Sequence, residues 1–357
     1  MTTNPSRRFL LAFAATLGAL VALLTAHSIL VDPYAMWGTR VVPEKGYATY
    51  GRVRVAGDRV TKAVILADNS YDTVIVGSSR PLIGFDPTHP TLKARRAYNA
   101  AFNGATTIEN AGVAAFALER RAELKDLLIG IDLFAFEDVK TEADYDQSMF
   151  AGEPRWLGLV ARTASKNALD GAWRFWRNVR KRTPQVTRDG FNFTPAKWLG
   201  DRRETFAAKV NGGSPNCFDV AAIAGKFDRN FAVLQPVLAQ AKARGVNVYL
   251  FVSPQHVWAH FYEDAAHRTR VHEMFKLRLR KMAEDLASLP GAGRVELWDF
   301  DGLDSVTLED VPPSGSKLDT HYFWEHSHFK TTTGNAIIAA MLGGPGGIDG
   351  FGVRLDR

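Results

Sequence analysis

Five short apolar runs, each ending on a small or polar residue, constrain this chain more than any other feature. Val74-Ile75-Val76 is β-branched throughout, as in a strand buried on both faces, and it gives way to Gly77-Ser78-Ser79. The others surround Ala97-Tyr98-Asn99, ending at Asn103-Gly104; Leu127–Phe134, ending near Asp132; Val246–Val252, ending at Ser253 and His256; and Arg294–Phe300, ending at Asp299. Helical stretches separate them: one including Val60–Ala67, then Thr107–Lys125, Phe231–Arg244, His272–Leu289 and Thr333–Leu342. Strands alternating with helices predict an α/β fold with a doubly wound, parallel, five-stranded sheet. In such a sheet all strand ends lie on one edge, so polar residues far apart in sequence meet there.

The amino end places the chain. From Phe9 to Val31 there is no Asp, Glu, Lys or Arg, a length that crosses a hydrocarbon core as one helix. Arg7 and Arg8 precede it, which by the positive-inside rule keeps them cytoplasmic. The rival is a cleaved signal peptide, but the run is long for one and no Ala-x-Ala stands at its end, just before Asp32-Pro33-Tyr34. The expected organisation is an uncleaved signal anchor over 1–31, an α/β domain over 32–342 on the outer face of the inner membrane, and a frayed Gly-rich tail over 343–357.

The alternation breaks between about residues 140 and 227. Tryptophans (Trp156, Trp173, Trp176, Trp198) stand there among Arg174, Arg177, Arg180, Lys181 and Arg182. We expect a helical insertion over the sheet's carboxyl edge. It is either a solvated face with snorkelling cations or a surface for an anionic glycan or lipid headgroup. The net charge of +6 permits an anionic partner without naming one, and nucleic acid is not expected outside a membrane. Cys217 is the only cysteine, which excludes an intrachain disulfide and a thiolate metal cluster. There is no P-loop and no Gly-x-Gly-x-x-Gly after a strand, so no nucleotide cofactor is implied.

A serine at a strand end can be a nucleophile if a base takes its proton and an acid orients that base; otherwise Ser78 and Ser79 simply cap a helix. The base candidate lies in Phe323-Trp324-Glu325-His326-Ser327-His328-Phe329. His328 follows Glu325 by three residues, so one turn presents both, with His326 the rival base. His256 could line the site. His260, His267 and His272 are expected on the surface, on or near a helix. His256 and His260 are four apart, but no third ligand stands out, so no zinc site is expected.

The order of these blocks resembles the SGNH (GDSL-like) hydrolase superfamily, nearest its membrane-anchored cell-envelope branch, which includes the alginate-acetylation proteins and DltD of teichoic acid D-alanylation. Gly77-Ser78-Ser79 stands where that family has Gly-Asp-Ser, which implies Ser79 as nucleophile; Gly77–Arg80 through His89-Pro90 also resembles DltD. Asn103-Gly104 matches the block that supplies an oxyanion glycine, and Glu325-His326-Ser327-His328 matches Asp-x-x-His with glutamate in place of aspartate. Gly130-Ile131-Asp132 departs from the family's Gly-x-Asn. An ionised Asp132 donates no hydrogen bond, so Arg80 or a backbone N–H would have to supply that donor. The resemblance implies a flavodoxin-like strand order. It also implies a serine-dependent O-acetyltransferase or esterase without cofactor, acting on a cell-envelope polysaccharide with an acyl donor that a membrane-bound partner could deliver. The other class consistent with these residues is a catalytically idle glycan-binding or polysaccharide-assembly subunit that keeps the fold.

Overall fold

The computed structural model describes residues 5–34, 36–37, 59–181, 186–187, 189–192, 200–210, 220–265 and 269–356; Trp198, Arg182 and His267 lie outside them. Strands β1 (Thr73–Val76), β2 (Ala97–Asn99), β3 (Asp126–Ile131), β4 (Asn247–Val252) and β5 (Val295–Asp299) pair in parallel in the order 2-1-3-4-5. A separate antiparallel hairpin joins β6 (Phe323–Glu325) to β7 (His328–Phe329). The main sheet has six strands, not the five expected. β8 (Val353–Arg354) pairs antiparallel with β5, and Phe351 just before it is buried against Phe300. The Gly-rich tail is therefore part of the sheet rather than frayed; its glycines at positive φ steer the chain back to the edge.

The sheet is buried on both faces, which is why its strands read as continuous apolar runs rather than alternations. Side chains of successive strand residues go to opposite faces. Val74, Val76, Leu127, Ile129, Val248 and Leu250 pack against helices Arg59–Asp68, Thr107–Arg120, Val220–Ala243 and Thr269–Ser288. Ile75, Leu128, Tyr249 and Phe251 face the other way, toward Phe85, Phe323, Phe329 and helix Thr331–Leu342. Helix Thr107–Arg120 starts with a complete capping box, Thr106 with Glu109, which places its first turn firmly beside the end of β2.

Helix Pro5–Val31 is 27 residues long, and its apolar side chains from Phe9 to Leu23 are exposed. It has the length and composition of a membrane span or signal sequence. The expected insertion is mostly helical where described, over Ala143–Asp146, Arg155–Thr163, Lys166–Lys181, Arg202–Val210 and the start of Val220–Ala243, with an isolated antiparallel bridge between Val186 and Asn192. Only part of it lies at the carboxyl edge. Asn192 donates its backbone N–H to Leu82 and Asp189 accepts from Asn99, whereas helices Arg155–Thr163 and Lys166–Lys181 pack beside Pro5–Val31.

Candidate active site

The site grows from the end of β1. Gly77 sits at φ +150°, and a Cβ there would come within 2.7 Å of Pro81 Cγ and 3.3 Å of the Gly130 backbone. Only glycine allows that turn and that approach together. Ser78, fully buried, caps helix Ser79–Gly84 by accepting from Arg80 N at 3.2 Å. Ser79 is the partly exposed residue of the pair. β1 and β3 flank the point where the strand order reverses, the customary crevice of such sheets.

Glu325 and His328 stand directly opposite one another in the β6–β7 hairpin, with His326-Ser327 as its two-residue loop. The three-residue spacing thus works across a hairpin rather than along one turn. Ser79 Oγ lies 2.7 Å from His328 Nε2, and His328 Nδ1 is hydrogen-bonded to Glu325 Oε1. Ser327 also donates to Glu325 Oε1, at 2.7 Å. The other carboxylate oxygen, Oε2, is 2.8 Å from His326 Nδ1, an ion-pair distance without hydrogen-bond alignment. Burial alone would raise the Glu325 carboxyl; the imidazoles of His326 and His328 outweigh it and hold it well below the usual carboxylate range.

Two close approaches hold the hairpin against the serine helix. A Cβ at Gly84 would stand 2.0 Å from Phe329 Cε2, and one at Gly334 would stand 1.9 Å from Gly84 O. Helix Ser79–Gly84, strand β7 and helix Thr331–Leu342 meet there with no room for a methyl group. Asn99, buried at the end of β2, ties the same short helix down by donating to Pro81 O at 2.8 Å and Phe85 O at 2.9 Å.

Asp132 belongs to a buried polar network. One of its oxygens accepts from Ser78 Oγ and the other from Arg80 Nη1 at 2.6 Å. Arg80 Nη2 reaches Gln255 Oε1 at 2.7 Å, and its guanidinium lies over the Phe134 ring. Arg80, Asp132, Phe134, Ser253, Gln255 and His326 line a cavity of about 190 Å³ next to the triad. Gln255 was not foreseen from sequence; its position just past the end of β4 was its only signal. Asn103 and Gly104 are exposed beyond Phe102, whose N–H donates to Gly77 O at 3.0 Å, so their loop emerges at the same edge as Ser79. Gly104 has φ +63°, and Arg59 Nη2 donates to Asn103 O at 3.3 Å. Lys62, also unforeseen, is fully buried below that loop and donates to the carbonyls of Asn99 and Ala101, both at 2.7 Å.

The other histidines take different places from those expected. His256 does not line the cavity; it is buried, with Nε2 2.7 Å from Glu309 O and Nδ1 accepting from Trp258 N at 3.2 Å. Burial pushes its pKa down, which keeps the ring neutral in this role. His272 is buried rather than superficial, and it converges with His260 on Asp301. Each Nε2 lies 3.1 Å from one Asp301 oxygen. Two histidines and a carboxylate are a donor set that suits zinc. Here, however, Lys276 Nζ already sits 2.9 Å from Asp299 Oδ2 and 4.0 Å from Asp301 Oδ2, supplying a cation from the protein itself. The cluster ties the loop after β5 to helices Val257–Ala265 and Thr269–Ser288. Burial alone would raise Asp301, but His260 and His272 outweigh it and hold the carboxyl far below its ordinary value.

Comparison with protein-family models and with curated proteins finds no match for this chain.

Proposed function

We propose that this protein is a membrane-anchored, SGNH-like serine enzyme that transfers or hydrolyses O-acyl groups, acetyl groups foremost, on a cell-envelope glycan outside the inner membrane. The observation that carries this is the Ser79 Oγ–His328 Nε2 distance of 2.7 Å with Glu325 bound behind His328. Ser79 Oγ attacks the acyl carbon while its proton passes to His328 Nε2. Collapse of the tetrahedral intermediate breaks the bond to the leaving oxygen, which takes that proton from His328. A glycan hydroxyl (transfer) or water (hydrolysis) then gives a proton to His328 and attacks the acyl-serine; as the acyl–Oγ bond breaks, Ser79 Oγ takes that proton back from His328. Glu325 holds the Nδ1–H tautomer throughout and stabilises the imidazolium. The backbone N–H groups of Ser79 and Gly104 hold the oxyanion. Asp132 faces Ser78 and Arg80 and serves as their anchor, which answers its departure from the family's asparagine. The chemistry requires no cofactor; transfer requires an acyl donor, which a membrane-bound partner could deliver.

A catalytically idle glycan-binding or assembly subunit is the competing function, favoured by the carboxylate at position 132 and the basic, aromatic insertion. Labelling of the full chain in detergent with a fluorophosphonate separates the two. Labelling is expected in wild type and Ser78→Ala, and lost in Ser79→Ala and His328→Ala. A folded wild type that stays unlabelled would refute the enzymatic function.

A further inference from the structure

Helix Pro5–Val31 leaves the folded domain at one place. Its apolar side chains are exposed from Phe9 to Leu23, and only near its end do residues become buried, at Ser28 and Val31. The stretch from Pro5 to Leu23 is roughly 28 Å long as a helix, close to a hydrocarbon core. The exit is rigidly built. Asp32 accepts from the backbone N–H of Met36 at 2.8 Å and of Trp37 at 3.1 Å. Tyr34 fits against Gly171, where a Cβ would stand 2.6 Å from its hydroxyl, and Arg162 lies over its ring. A bilayer crossed by this helix must therefore meet the domain near His27.

Two helices of the insertion occupy that place. Trp176 Nε1 donates to His27 Nε2 at 3.4 Å, and both Arg155–Thr163 and Lys166–Lys181 pack against Pro5–Val31. Their exposed apolar residues fall at helical spacing: Trp156 and Val160 on one, Leu169, Trp173 and Trp176 on the other. Trp173 is 73% exposed and Trp156 63%, the reverse of what a soluble helix does with its indoles. The sequence of the second helix carries Lys166, Arg174, Arg177, Arg180 and Lys181 against one acid, Asp170. Indoles with excess cations at the end of a membrane span are the composition of an interfacial helix.

We infer that helices Arg155–Thr163 and Lys166–Lys181 form a foot that rests on an anionic phospholipid bilayer, with Trp156, Trp173 and Trp176 seated among the headgroups. This rests on Pro5–Val31 being an uncleaved membrane span. The foot gives the domain a second attachment beside the span and so fixes its tilt. A single helix leaves the domain free to swing; two further helices with seated indoles do not.

The test uses the full chain with Cys217→Ser and single cysteines at Trp156→Cys, Trp173→Cys, Leu17→Cys or the exposed Leu303→Cys. Each carries an environment-sensitive fluorophore and is reconstituted into phosphatidylethanolamine–phosphatidylglycerol vesicles bearing shallow or deep nitroxide lipids. Labels at 156 and 173 are expected to be quenched by the shallow nitroxide at least about threefold more than the label at 303. The label at 17 should be quenched most by the deep one. Replacing phosphatidylglycerol by phosphatidylcholine should weaken quenching at 173 about twofold; no change would overturn the assignment to anionic lipid. Labels at 156 and 173 as unquenched as that at 303, with 17 quenched, would overturn the foot and leave the span standing. An unquenched label at 17 would overturn the span, and the foot with it.

Discussion

Glu325 is hydrogen-bonded to His328 and within ion-pair distance of His326, and the two neighbours should answer mutation differently. His328 alone reaches Ser79, whereas His326 touches the far carboxylate oxygen and faces the cavity. Glu325→Gln keeps the shape but removes the charge that stabilises an imidazolium, so acylation by an activated ester should slow by about 10⁴ with the fold retained. A Glu325→Gln rate within tenfold of wild type would remove Glu325 from the mechanism. His326→Ala should keep its fluorophosphonate labelling where His328→Ala loses it; the opposite pattern would make His326 the base. Ser78 has another task at the same scale. Its hydroxyl caps the short helix and donates to Asp132, so Ser78→Ala should cost about 1 kcal/mol in a denaturant titration without abolishing labelling.

Between elements, the distance from nucleophile to base is set by packing rather than by either residue. The serine helix, β7 and helix Thr331–Leu342 touch at Gly84 and Gly334 with backbone and ring atoms where a methyl would have to go. Gly84→Ala must push Phe329, and with it His328, away from Ser79. It should destabilise the domain by about 1–3 kcal/mol and reduce labelling far more than its stability loss explains. Normal labelling at full occupancy of the folded state would show that the hairpin tolerates displacement.

Over the whole molecule, two buried carboxylates make stability depend on acid. Glu325 and Asp301 both have folded pKa values below their ordinary 4.5 and 3.8. A depressed carboxyl contributes stability that is present above its unfolded pKa and is lost as pH falls toward the folded one. Denaturant midpoints should therefore be level from neutral pH down to about 5 and fall progressively below about 4.5. Asp301→Asn should flatten the lower part of that slope; an unchanged slope would mean that Asp301 is already protonated in the fold. The membrane foot belongs to this scale too, since it concerns how the whole domain is held.

The sequence alone determined the local and periodic features. Apolar runs buried on both faces read as strands, so β1, β4 and β5 were legible at nearly their observed bounds, as was helix Thr331–Leu342. β3 stops at Ile131, short of the expected Phe134, and β2, an Ala-Tyr-Asn edge strand, carried a weaker signal. The apolar run after Arg8 determined the long exposed helix. A serine at the end of β1 was legible because strand ends in a parallel sheet share one edge. The family resemblance singled out Ser79, and their spacing within one segment singled out Glu325 and His328. Tertiary structure decided whatever depends on which surfaces meet. A two-residue strand such as β8 has no sequence period, and exists because β5 offers an open edge and Phe351 a place beside Phe300. Asp132 looked like a defect in isolation, and only its contacts with Ser78 and Arg80 make it an anchor. His260 and His272 lie twelve positions apart, and only the chain's return at Asp301 brings them together. Side-chain partners of this kind come from elements distant in sequence, so no local pattern encodes them.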